Sequence, residues 1–312
     1  MLKPFDGVET MNGNEVLGWW VGELAKGCEL CMEGLKVVIF VTGTCPVNCF
    51  YCPTSYDRRD IDAFYVDEEP LRDYTLLLDE ISLIDAKGIS ITGGEPLSAI
   101  ERVYEIIKLV KEVYGSSFHV HLYTSGYYAS KDVIRYLDRL GLDEIRFHPI
   151  SDHTWKLVEY AVRETSMDVG IEIPALPNLT YLKSVVLRAA EIGVKFVNMN
   201  ELEVSETNAL DVTLRGFVVK DDGRSVVGSK ESALRILEWV EESGLDISVR
   251  FCPAVFKDVV QHRKRLLRKA VNCVEVGDQL LSDGTIVRRE VEYLPLFPIC
   301  MERFRGDYDE RL

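Results

Sequence analysis

The sequence predicts an α/β fold in which parallel strands alternate with helices around a full or partial barrel. Short β-branched runs alternate with longer stretches of helical periodicity, and glycines stand where the C-caps of those helices are expected. Six to seven such strand–helix units curve naturally into a barrel. In parallel barrels the active site lies at the carboxyl ends of the strands, so we expect the functional residues there.

Each strand is predicted from a short apolar run, and each helix from apolar residues that repeat every three or four positions. Leu77, Leu78 and Ile81 show this spacing in the first helix. The predicted strands are 37–42, 89–92, 118–124, 144–149, 168–174, 196–201 and 246–252. The predicted helices lie near 71–86, 98–114, 130–140, 152–164, 180–192 and 229–243.

The barrel is expected to span residues 36–252, with an appendage at each end. Residues 1–35 form an N-terminal extension that carries a C-x2-C pair, Cys28 and Cys31. Residues 253–312 form a C-terminal appendage with a basic helix and a β-hairpin around residues 282–284. A polar insertion at residues 204–228 contains an Asp-Asp-Gly turn signal.

The length and composition of the chain limit the classes of protein to which it can belong. The chain has 312 residues, of which 47% are apolar, which suits one large α/β domain with small appendages. No apolar run reaches the roughly 20 residues that span a membrane, and the first residues do not resemble a signal peptide. We therefore expect a cytoplasmic protein, in which the eight cysteines serve as metal ligands or reactive thiols before disulfides.

Charge argues against general binding of nucleic acid, because the formal net charge is −15. The exception is the segment 261–269, where six of nine residues are basic or histidine. One hypothesis is a solvated helix that balances acidic neighbours, and the other is a contact with RNA or an anionic substrate.

Three cysteines in one loop are the most informative motif. Cys45, Cys49 and Cys52 have the spacing C-x3-C-x2-C, with the aromatic Tyr51 just before the last. Three thiolates can bind three irons of a [4Fe–4S] cluster and leave the fourth iron without a protein ligand. The alternative is an incomplete zinc site that a distant histidine or cysteine completes.

This motif, followed by Gly93-Gly94-Glu95-Pro96, resembles the two signatures of the radical S-adenosylmethionine (SAM) superfamily. The chain also resembles archaeal proteins related to the activating enzyme of pyruvate formate-lyase. The resemblance implies a partial (β/α)6-type TIM barrel with N-terminal and C-terminal appendages. It also implies a [4Fe–4S] cluster whose open iron is chelated by SAM. Five cofactor-binding residues follow from it: Gly93, Gly94 and Glu95 at the methionine moiety, Tyr51 near the adenine, and Ser125 at the ribose.

The resemblance implies reductive cleavage of SAM to a 5′-deoxyadenosyl radical, which abstracts hydrogen from a substrate. The substrate stays open between RNA, a peptide or protein, and a small cofactor precursor. An electron donor such as a ferredoxin or flavodoxin is expected. The alternatives are a non-enzymatic iron–sulfur or zinc-binding scaffold protein and a radical SAM methyltransferase.

Strand alternation predicts polar side chains inside the barrel. The predicted inward residues are His119, His121, Tyr123, Arg146, His148, Asn198, Asn200, Arg250 and Cys252. Buried polar groups cost free energy unless they are paired or bind something, so this interior predicts a ligand cavity. Asn198, Asn200 and Cys252 are candidate catalytic residues, because their strand ends face the expected SAM site.

The remaining cysteines form a second candidate metal site. Cys28 and Cys31 can bind one metal but need a partner from elsewhere, and Cys252 is favoured because it ends an inner strand. An auxiliary iron–sulfur cluster, a structural zinc or iron site, and free thiols are the alternatives. Cys273 and Cys300 lie in the C-terminal appendage.

Overall fold

The structure, a computed structural model, describes residues 11–291 and 306–309 of the chain. Cys300 and residues 1–10 of the predicted N-terminal extension lie outside this range. The strands are β1 (Asn12–Asn14), β2 (Gly18–Val21), β3 (Lys36–Phe40), β4 (Tyr65–Val66), β5 (Glu69–Pro70), β6 (Gly88–Thr92), β7 (His119–Thr124), β8 (Glu144–Phe147), β9 (Asp168–Ala175), β10 (Phe196–Glu201), β11 (Ser248–Cys252), β12 (Gln279–Leu280), β13 (Ile286–Val291) and β14 (Gly306–Asp309).

Most of the helices cover the outside of the sheet, and the exceptions are described below. They are α1 (Lys26–Glu33), α2 (Tyr74–Leu83), α3 (Ile100–Tyr114), α4 (Lys131–Arg139), α5 (Asp152–Glu164), α6 (Leu179–Ile192), α7 (Ala209–Leu214), α8 (Ser229–Ser243) and α9 (Arg263–Cys273). Four of them begin at a side chain that accepts a backbone N–H of the first turn, which fixes where the helix starts. These N-caps are Asp73, Ser130, Ser151 and Asn178.

Seven parallel strands form the centre of an eleven-stranded sheet. Their spatial order is β3, β6, β7, β8, β9, β10 and β11, which is also their order along the chain. All seven predicted strands are therefore confirmed, with ends that differ by a few residues. β4 and β5 extend the sheet at one edge, and β1 and β2 extend it at the other, so the sheet is an open, partial barrel.

Side-chain alternation along the strands follows the prediction. On β8, Ile145 and Phe147 are fully buried in the apolar core, whereas Arg146 contacts Glu172 inside the barrel. This pattern separates an apolar layer, between strands and outer helices, from a polar interior. The polar interior ends at the carboxyl edge of the sheet, where the candidate site lies.

The N-terminal segment is packed into the barrel. β2 pairs antiparallel with β11, and α1 packs inside against β3, β6 and β7. At Gly27 a Cβ atom would come within 2.7 Å of His121 and of Arg146, so only glycine allows this approach. The Gly27 N–H donates to Glu144 at 3.2 Å. Sequence periodicity could not predict this position, because α1 is short and its partners are distant along the chain.

The C-terminal appendage contains the predicted basic helix and hairpin. β12 and β13 pair antiparallel around residues 282–284, and α9 follows a π-helical turn at Lys257–His262. Within the described residues no helix is both long and apolar enough to cross a membrane.

Basic side chains of the segment 261–269 are engaged within the protein. Arg265 pairs with Asp67 at 3.1 Å, and Lys269 pairs with Glu80 at 2.5 Å. Two more donate to carbonyl oxygens of the last turn of α1: Lys264 to Met32 at 2.6 Å and Arg268 to Glu33 at 3.0 Å. The segment thus fastens α9 to α1 and α2.

Candidate active site

A cavity of about 440 Å³ opens at the carboxyl ends of the parallel strands. Its lining brings together residues that lie far apart in the sequence. They include Cys45, Cys49, Tyr51, Cys52, Gly93, Gly94, Ser125, His148, Glu172, Asn200, Glu203 and Lys257. The location agrees with the expectation for a parallel barrel.

The three cysteines lie on the loop that follows β3, which we call the cysteine loop (residues 43–54). All three are partly exposed toward the cavity, and a bond from the Cys52 N–H to the Cys49 carbonyl closes the turn at 3.1 Å. Burial raises the pKa of the Cys45 thiol to about 11 and also raises that of Cys49. A bound metal must therefore displace protons from these thiols.

The donor set fits a polynuclear cluster better than a single ion. Among the described residues, the group of three ligand-type side chains with donor atoms within 4.8 Å of one another is His119, His121 and Glu144, and no cysteine belongs to it. Thiolates that bind different irons of a cluster lie farther apart than ligands that share one ion. Soft thiolates on one loop at a cavity wall are the ligands that an iron–sulfur cluster requires.

The Gly93-Gly94 turn lies with its backbone against the start of the cysteine loop. A Cβ atom on Gly93 would lie 2.4 Å from the Thr42 carbonyl oxygen, and Gly93 also has a φ of +153°. A Cβ atom on Gly94 would lie 2.6 Å from two carbonyl oxygens of that loop. Only glycines allow this contact, which leaves their backbone groups at the cavity wall.

Glu95 faces away from the cavity. Its buried carboxylate accepts hydrogen bonds from the Leu97 N–H at 3.1 Å, from the Thr124 hydroxyl at 2.6 Å and from the Ser125 N–H at 2.7 Å. The Ser125 hydroxyl donates to the same carboxylate. Gly93, Gly94 and Ser125 thus border the cavity, while the Glu95 side chain fixes the end of β7 beneath it.

Tyr51 and His148 form a polar pair at the cavity wall. The Tyr51 hydroxyl lies 2.7 Å from His148 Nε2, and His148 Nδ1 lies 2.9 Å from the Glu172 carbonyl oxygen. A carbonyl only accepts, so we infer that Nδ1 carries the hydrogen and that Nε2 accepts from Tyr51. Burial lowers the pKa of His148, which favours this neutral form.

Glu172 joins the two predicted asparagines. Its carboxylate accepts from Asn198 at 2.9 Å, from Asn200 at 2.8 Å and from Arg146 at 3.2 Å. Asn200 lines the cavity, whereas Asn198 lies below it and also donates to Cys28 at 3.3 Å. Sequence reasoning missed Glu172, although an acidic residue between Ile171 and Ile173 on a strand was a usable signal.

The second set of cysteines lies behind the cavity, and within the described residues none of the three lines it. The Cys28 thiol accepts a hydrogen bond from Arg146 at 3.4 Å. Burial alone would raise the pKa of Cys28, but the positive charges of Arg146 and Arg250 outweigh burial, so the pKa is lowered. Cys31 and Cys252 belong to one apolar cluster, and burial raises the pKa of Cys252 to about 12. Whether these thiols hold a metal stays a prediction.

The buried side chains of His119, His121 and Glu144 lie together beneath α1 and are arranged like metal ligands. The positive charges around them, however, do not favour a metal ion. Both ring nitrogens of His121 lack a hydrogen-bond partner, and the Nε2 of His119 lies 3.5 Å from Glu144. Burial lowers the pKa of His121, and the positive charges of Lys36 and Arg146 lower it further. The same positive charges would repel a divalent ion, so we assign none here.

The insertion at residues 204–228 packs on the cysteine loop. The Asn208 side chain donates to the Tyr51 carbonyl at 3.1 Å, and the rings of Phe50 and Phe217 stack with centroids 5.8 Å apart. Leu210 and Leu214 of α7 are 72% and 75% exposed. The insertion therefore supports the cysteine loop on one face and presents apolar side chains to solvent on another.

Comparison with known proteins identifies the family. The family model described as the radical SAM superfamily matches residues 39–153. A protein of Methanocaldococcus jannaschii, whose name assigns it provisionally as a glycyl-radical enzyme activating enzyme, is 35% identical over 280 residues. That match covers 85% of this chain and 73% of the relative. The chain belongs to the radical SAM superfamily and is a radical SAM enzyme.

One solved structure supports the fold. The crystal structure of Streptococcus suis SuiB superposes with a TM-score of 0.50 at 13% identity, over 81% of this chain and 59% of SuiB. A second crystal structure, of SuiB bound to S-adenosylmethionine, has a TM-score of 0.49 at 14% identity, over 81% of this chain and 57% of SuiB. The chain thus spans less than two thirds of each of these two structures.

Proposed function

We propose that this chain cleaves SAM reductively at the cysteine loop and uses the resulting radical to abstract hydrogen from a substrate. The observation that carries the proposal is the single cavity wall shared by Cys45, Cys49, Cys52 and the Gly93-Gly94 turn. A [4Fe–4S] cluster bound to the three thiols would supply the electron that cleaves SAM to methionine and a 5′-deoxyadenosyl radical.

The other cavity residues would bind and orient the cofactor. Gly93 and Gly94 line the cavity without side chains, and although the Gly94 N–H donates to the Thr42 carbonyl at 2.8 Å, the remaining backbone groups of the turn would contact the polar methionine end. Glu95 would hold Ser125 in place at the neighbouring strand end, where Ser125 lies beside the expected ribose. Tyr51, fixed by His148, would flank the adenine. Asn200 and Glu172 lie on the opposite strands, where a substrate would meet the radical.

This activity is tested by anaerobic reconstitution and mass spectrometry of 5′-deoxyadenosine formed with dithionite and SAM. The wild-type protein should form it, and Cys45→Ala, Cys49→Ala and Cys52→Ala should each reduce the rate to background. Cys273→Ala is the matched control, because Cys273 is an exposed thiol on α9. A variant of the cysteine loop that cleaved SAM at the wild-type rate would refute the proposal.

We propose a polypeptide as the substrate. The Methanocaldococcus jannaschii relative is named for activating a glycyl-radical enzyme. A cavity of about 440 Å³ admits an extended segment but not a folded protein. Exposed Leu210, Leu214 and Tyr56 beside the cysteine loop suit the side chains of such a segment better than the phosphates of RNA.

The substrate class is tested with an extract of source cells grown in heavy water. Abstraction from a deuterated substrate transfers deuterium to 5′-deoxyadenosine, which mass spectrometry detects. Protease treatment of the extract should abolish this deuterium, whereas ribonuclease treatment should leave it. The reverse result would indicate RNA, and a signal that survives both treatments would indicate a small molecule.

Contact of RNA with residues 261–269 gains no support from the arrangement of that segment. Arg265 and Lys269 are paired with acidic residues, and Lys264 and Arg268 donate to backbone carbonyls. These donors are already used within the protein. Copurification of tRNA with the protein, and binding that falls with salt, would restore the RNA hypothesis.

We also propose that Cys28, Cys31 and Cys252 hold an auxiliary iron–sulfur cluster. Cys31 and Cys252 pack in one cluster, and Cys28 lies one helical turn before Cys31 on α1. Iron and sulfide are measured in the Cys45/Cys49/Cys52→Ala variant after reconstitution. About four irons per chain would support the auxiliary cluster, and none would refute it.

The electron donor that we propose is a ferredoxin or flavodoxin, since reductive cleavage needs a one-electron donor of low potential. Either reduced protein should replace dithionite in the assay for 5′-deoxyadenosine. A rate no higher than without donor, for both, would contradict this part of the proposal.

A further inference from the structure

We propose that the cavity binds the main chain of its polypeptide substrate, with the Tyr123 hydroxyl donating to a carbonyl oxygen and the Asn200 side-chain oxygen accepting from an N–H group. This inference rests on the proposed function, in which a polypeptide gives up the hydrogen atom. Both residues line the cavity, and so do Arg146 and Glu172, which lie on the two strands between β7 and β10. We call these four side chains the cavity floor.

Arg146 determines which atom of Tyr123 stays available. Its Nη1 donates to the Tyr123 hydroxyl oxygen at 3.2 Å and to Glu172 Oε2 at 3.2 Å, which uses both hydrogens of that nitrogen. A guanidinium only donates, so the Tyr123 oxygen is the acceptor in this contact. Within the described residues the Tyr123 hydroxyl has no other hydrogen-bond partner. Its own hydrogen is therefore available to a ligand in the cavity.

The side-chain amide of Asn200 is oriented by the other oxygen of the same carboxylate. Asn200 Nδ2 donates to Glu172 Oε1 at 2.8 Å, while Arg146 and Asn198 donate to Oε2. An ionised carboxylate accepts and does not donate, so the nitrogen of the Asn200 amide faces Glu172 and its Oδ1 faces the other way. In the described part of the chain no group donates to this Oδ1, which leaves an acceptor at the cavity floor.

The charged groups of this part of the cavity are already paired, which favours a neutral polar ligand. Arg146 is 2% exposed and pairs with both Glu144 and Glu172, and Lys257 lies 2.7 Å from Glu203. A phosphate or a carboxylate would have to compete with these carboxylates for a cation. A peptide group needs only one donor and one acceptor, which the cavity floor provides.

The positions of Tyr123 and Asn200 favour a main chain over a single side-chain amide. β8 and β9 separate β7 from β10, and neighbouring strands lie about 4.8 Å apart. A segment that crosses the cavity floor offers carbonyl oxygens and N–H groups along its whole length, so different peptide groups can reach the two side chains. Contacts of this kind bind a segment whatever its side chains are, and leave sequence preference to other parts of the surface.

The test uses two capped tetrapeptides without side chains, tetraglycine and tetrasarcosine, each with an acetyl and a dimethylamide cap. Tetrasarcosine keeps every carbonyl oxygen but has no N–H group. Each is added with SAM to the full-length reconstituted protein and the deuterated extract, and transfer of deuterium to 5′-deoxyadenosine is measured. In the wild type, tetraglycine should halve this transfer at a concentration about fivefold lower than tetrasarcosine, because only tetraglycine donates to Asn200.

Two variants test the two contacts separately. Asn200→Ala should bring the halving concentrations of the two peptides to the same value, because the acceptor for the N–H group is gone. Tyr123→Phe should raise both concentrations about fivefold and keep their ratio, because both peptides have the carbonyl oxygens that Tyr123 contacts. General damage to the cavity would not distinguish the two peptides in this way.

Equal inhibition by the two peptides in the wild type would overturn the inference, and this comparison needs no variant to fold. A ratio that persists in Asn200→Ala, or inhibition that Tyr123→Phe does not weaken, would also overturn it. Propionamide as potent as tetraglycine would assign the contacts to a single amide group instead of a main chain. A wild-type protein that forms no 5′-deoxyadenosine would refute the proposed cleavage of SAM, and deuterium transfer that survives protease treatment would refute the polypeptide substrate, so these failures are distinguishable.

Discussion

Glu95 and Thr124 are joined by a 2.6 Å hydrogen bond between a fully buried carboxylate and a threonine hydroxyl. The bond connects the turn after β6 to the end of β7, and the Ser125 N–H completes the contact. The glutamate of the Gly93-Gly94-Glu95-Pro96 motif thus acts on the neighbouring strand, while its two glycines border the cavity.

Replacement of this carboxylate should cost stability even though the shape of the side chain is kept. In Glu95→Gln an amide N–H₂ group would face the donors that the carboxylate oxygens now satisfy. A buried donor without an acceptor costs about 1–3 kcal/mol, so we expect the free energy of unfolding to fall by about 2 kcal/mol in urea titrations. Glu101→Gln, at an exposed glutamate on α3, is the control. Equal midpoints for the two variants would contradict the positioning role.

Because α1 lies so close to the side chains of the barrel interior, we expect one methyl group added at Gly27 to lower the free energy of unfolding. In Gly27→Ala the new Cβ would lie 2.6 Å from His121 and 2.7 Å from Arg146, both of which are held by their own strands. Overpacking of this kind costs about 1–3 kcal/mol, measured as loss of unfolding free energy. Lys26→Ala, exposed on the same helix, should stay within about 0.5 kcal/mol of the wild type. A stable Gly27→Ala variant would show that α1 can move out of the interior.

Asp67 predicts a specific dependence of stability on pH. Burial raises its pKa to about 7, and the nearby Arg265 only partly opposes this. Between about pH 4, where the unfolded aspartate loses its proton, and pH 7, the folded state holds a proton that the unfolded chain has released. The Asp67 contribution to stability is therefore present below pH 4 and is lost as the pH rises through 7.

The prediction is measured as the difference in unfolding free energy between wild type and Asp67→Asn at several pH values. This difference should change by about 1 kcal/mol per pH unit between pH 4 and 7, to the disadvantage of the wild type at higher pH. Asp60→Asn is the control, since Asp60 is exposed and has the same left-handed backbone conformation. A difference that does not change with pH would refute the raised pKa.

The hydrogen bonds of Asn208 are expected to stabilise the cysteine loop. Asn208 is fully buried and donates to the carbonyl oxygens of Tyr51 and Glu203 at 3.1 and 3.0 Å. Asn208→Ala leaves both acceptors unpaired, so the reconstituted protein should lose iron to a chelator several times faster than the wild type. Thr213→Ala, exposed on α7, should lose iron at the wild-type rate. Equal rates for both variants would mean that the insertion does not support the loop.

Much of this site was predictable from local rules. The strand pattern placed Arg146, His148, Asn198 and Asn200 inside the barrel, because side chains alternate along a strand. The cysteine spacing and the glycine pair located the cavity, because loops after parallel strands meet at one edge.

What could not be predicted depends on contacts between distant parts of the chain. Tyr51 and His148 are 97 positions apart, and no periodicity links a loop tyrosine to a particular strand end. Glu95 was expected at the cofactor, yet its carboxylate faces β7, because its direction depends on donors that another strand supplies. The entry of α1 into the barrel likewise depends on a glycine fitting between two side chains from other strands.

The position of α1 has a kinetic consequence. Because this helix fills the interior beneath the cavity, SAM and substrate enter the cavity through the opening at the carboxyl ends of the strands. A polypeptide lying across that opening would trap SAM beneath it and would keep methionine and 5′-deoxyadenosine inside until it leaves. We therefore expect SAM to enter the cavity before the proposed polypeptide substrate does.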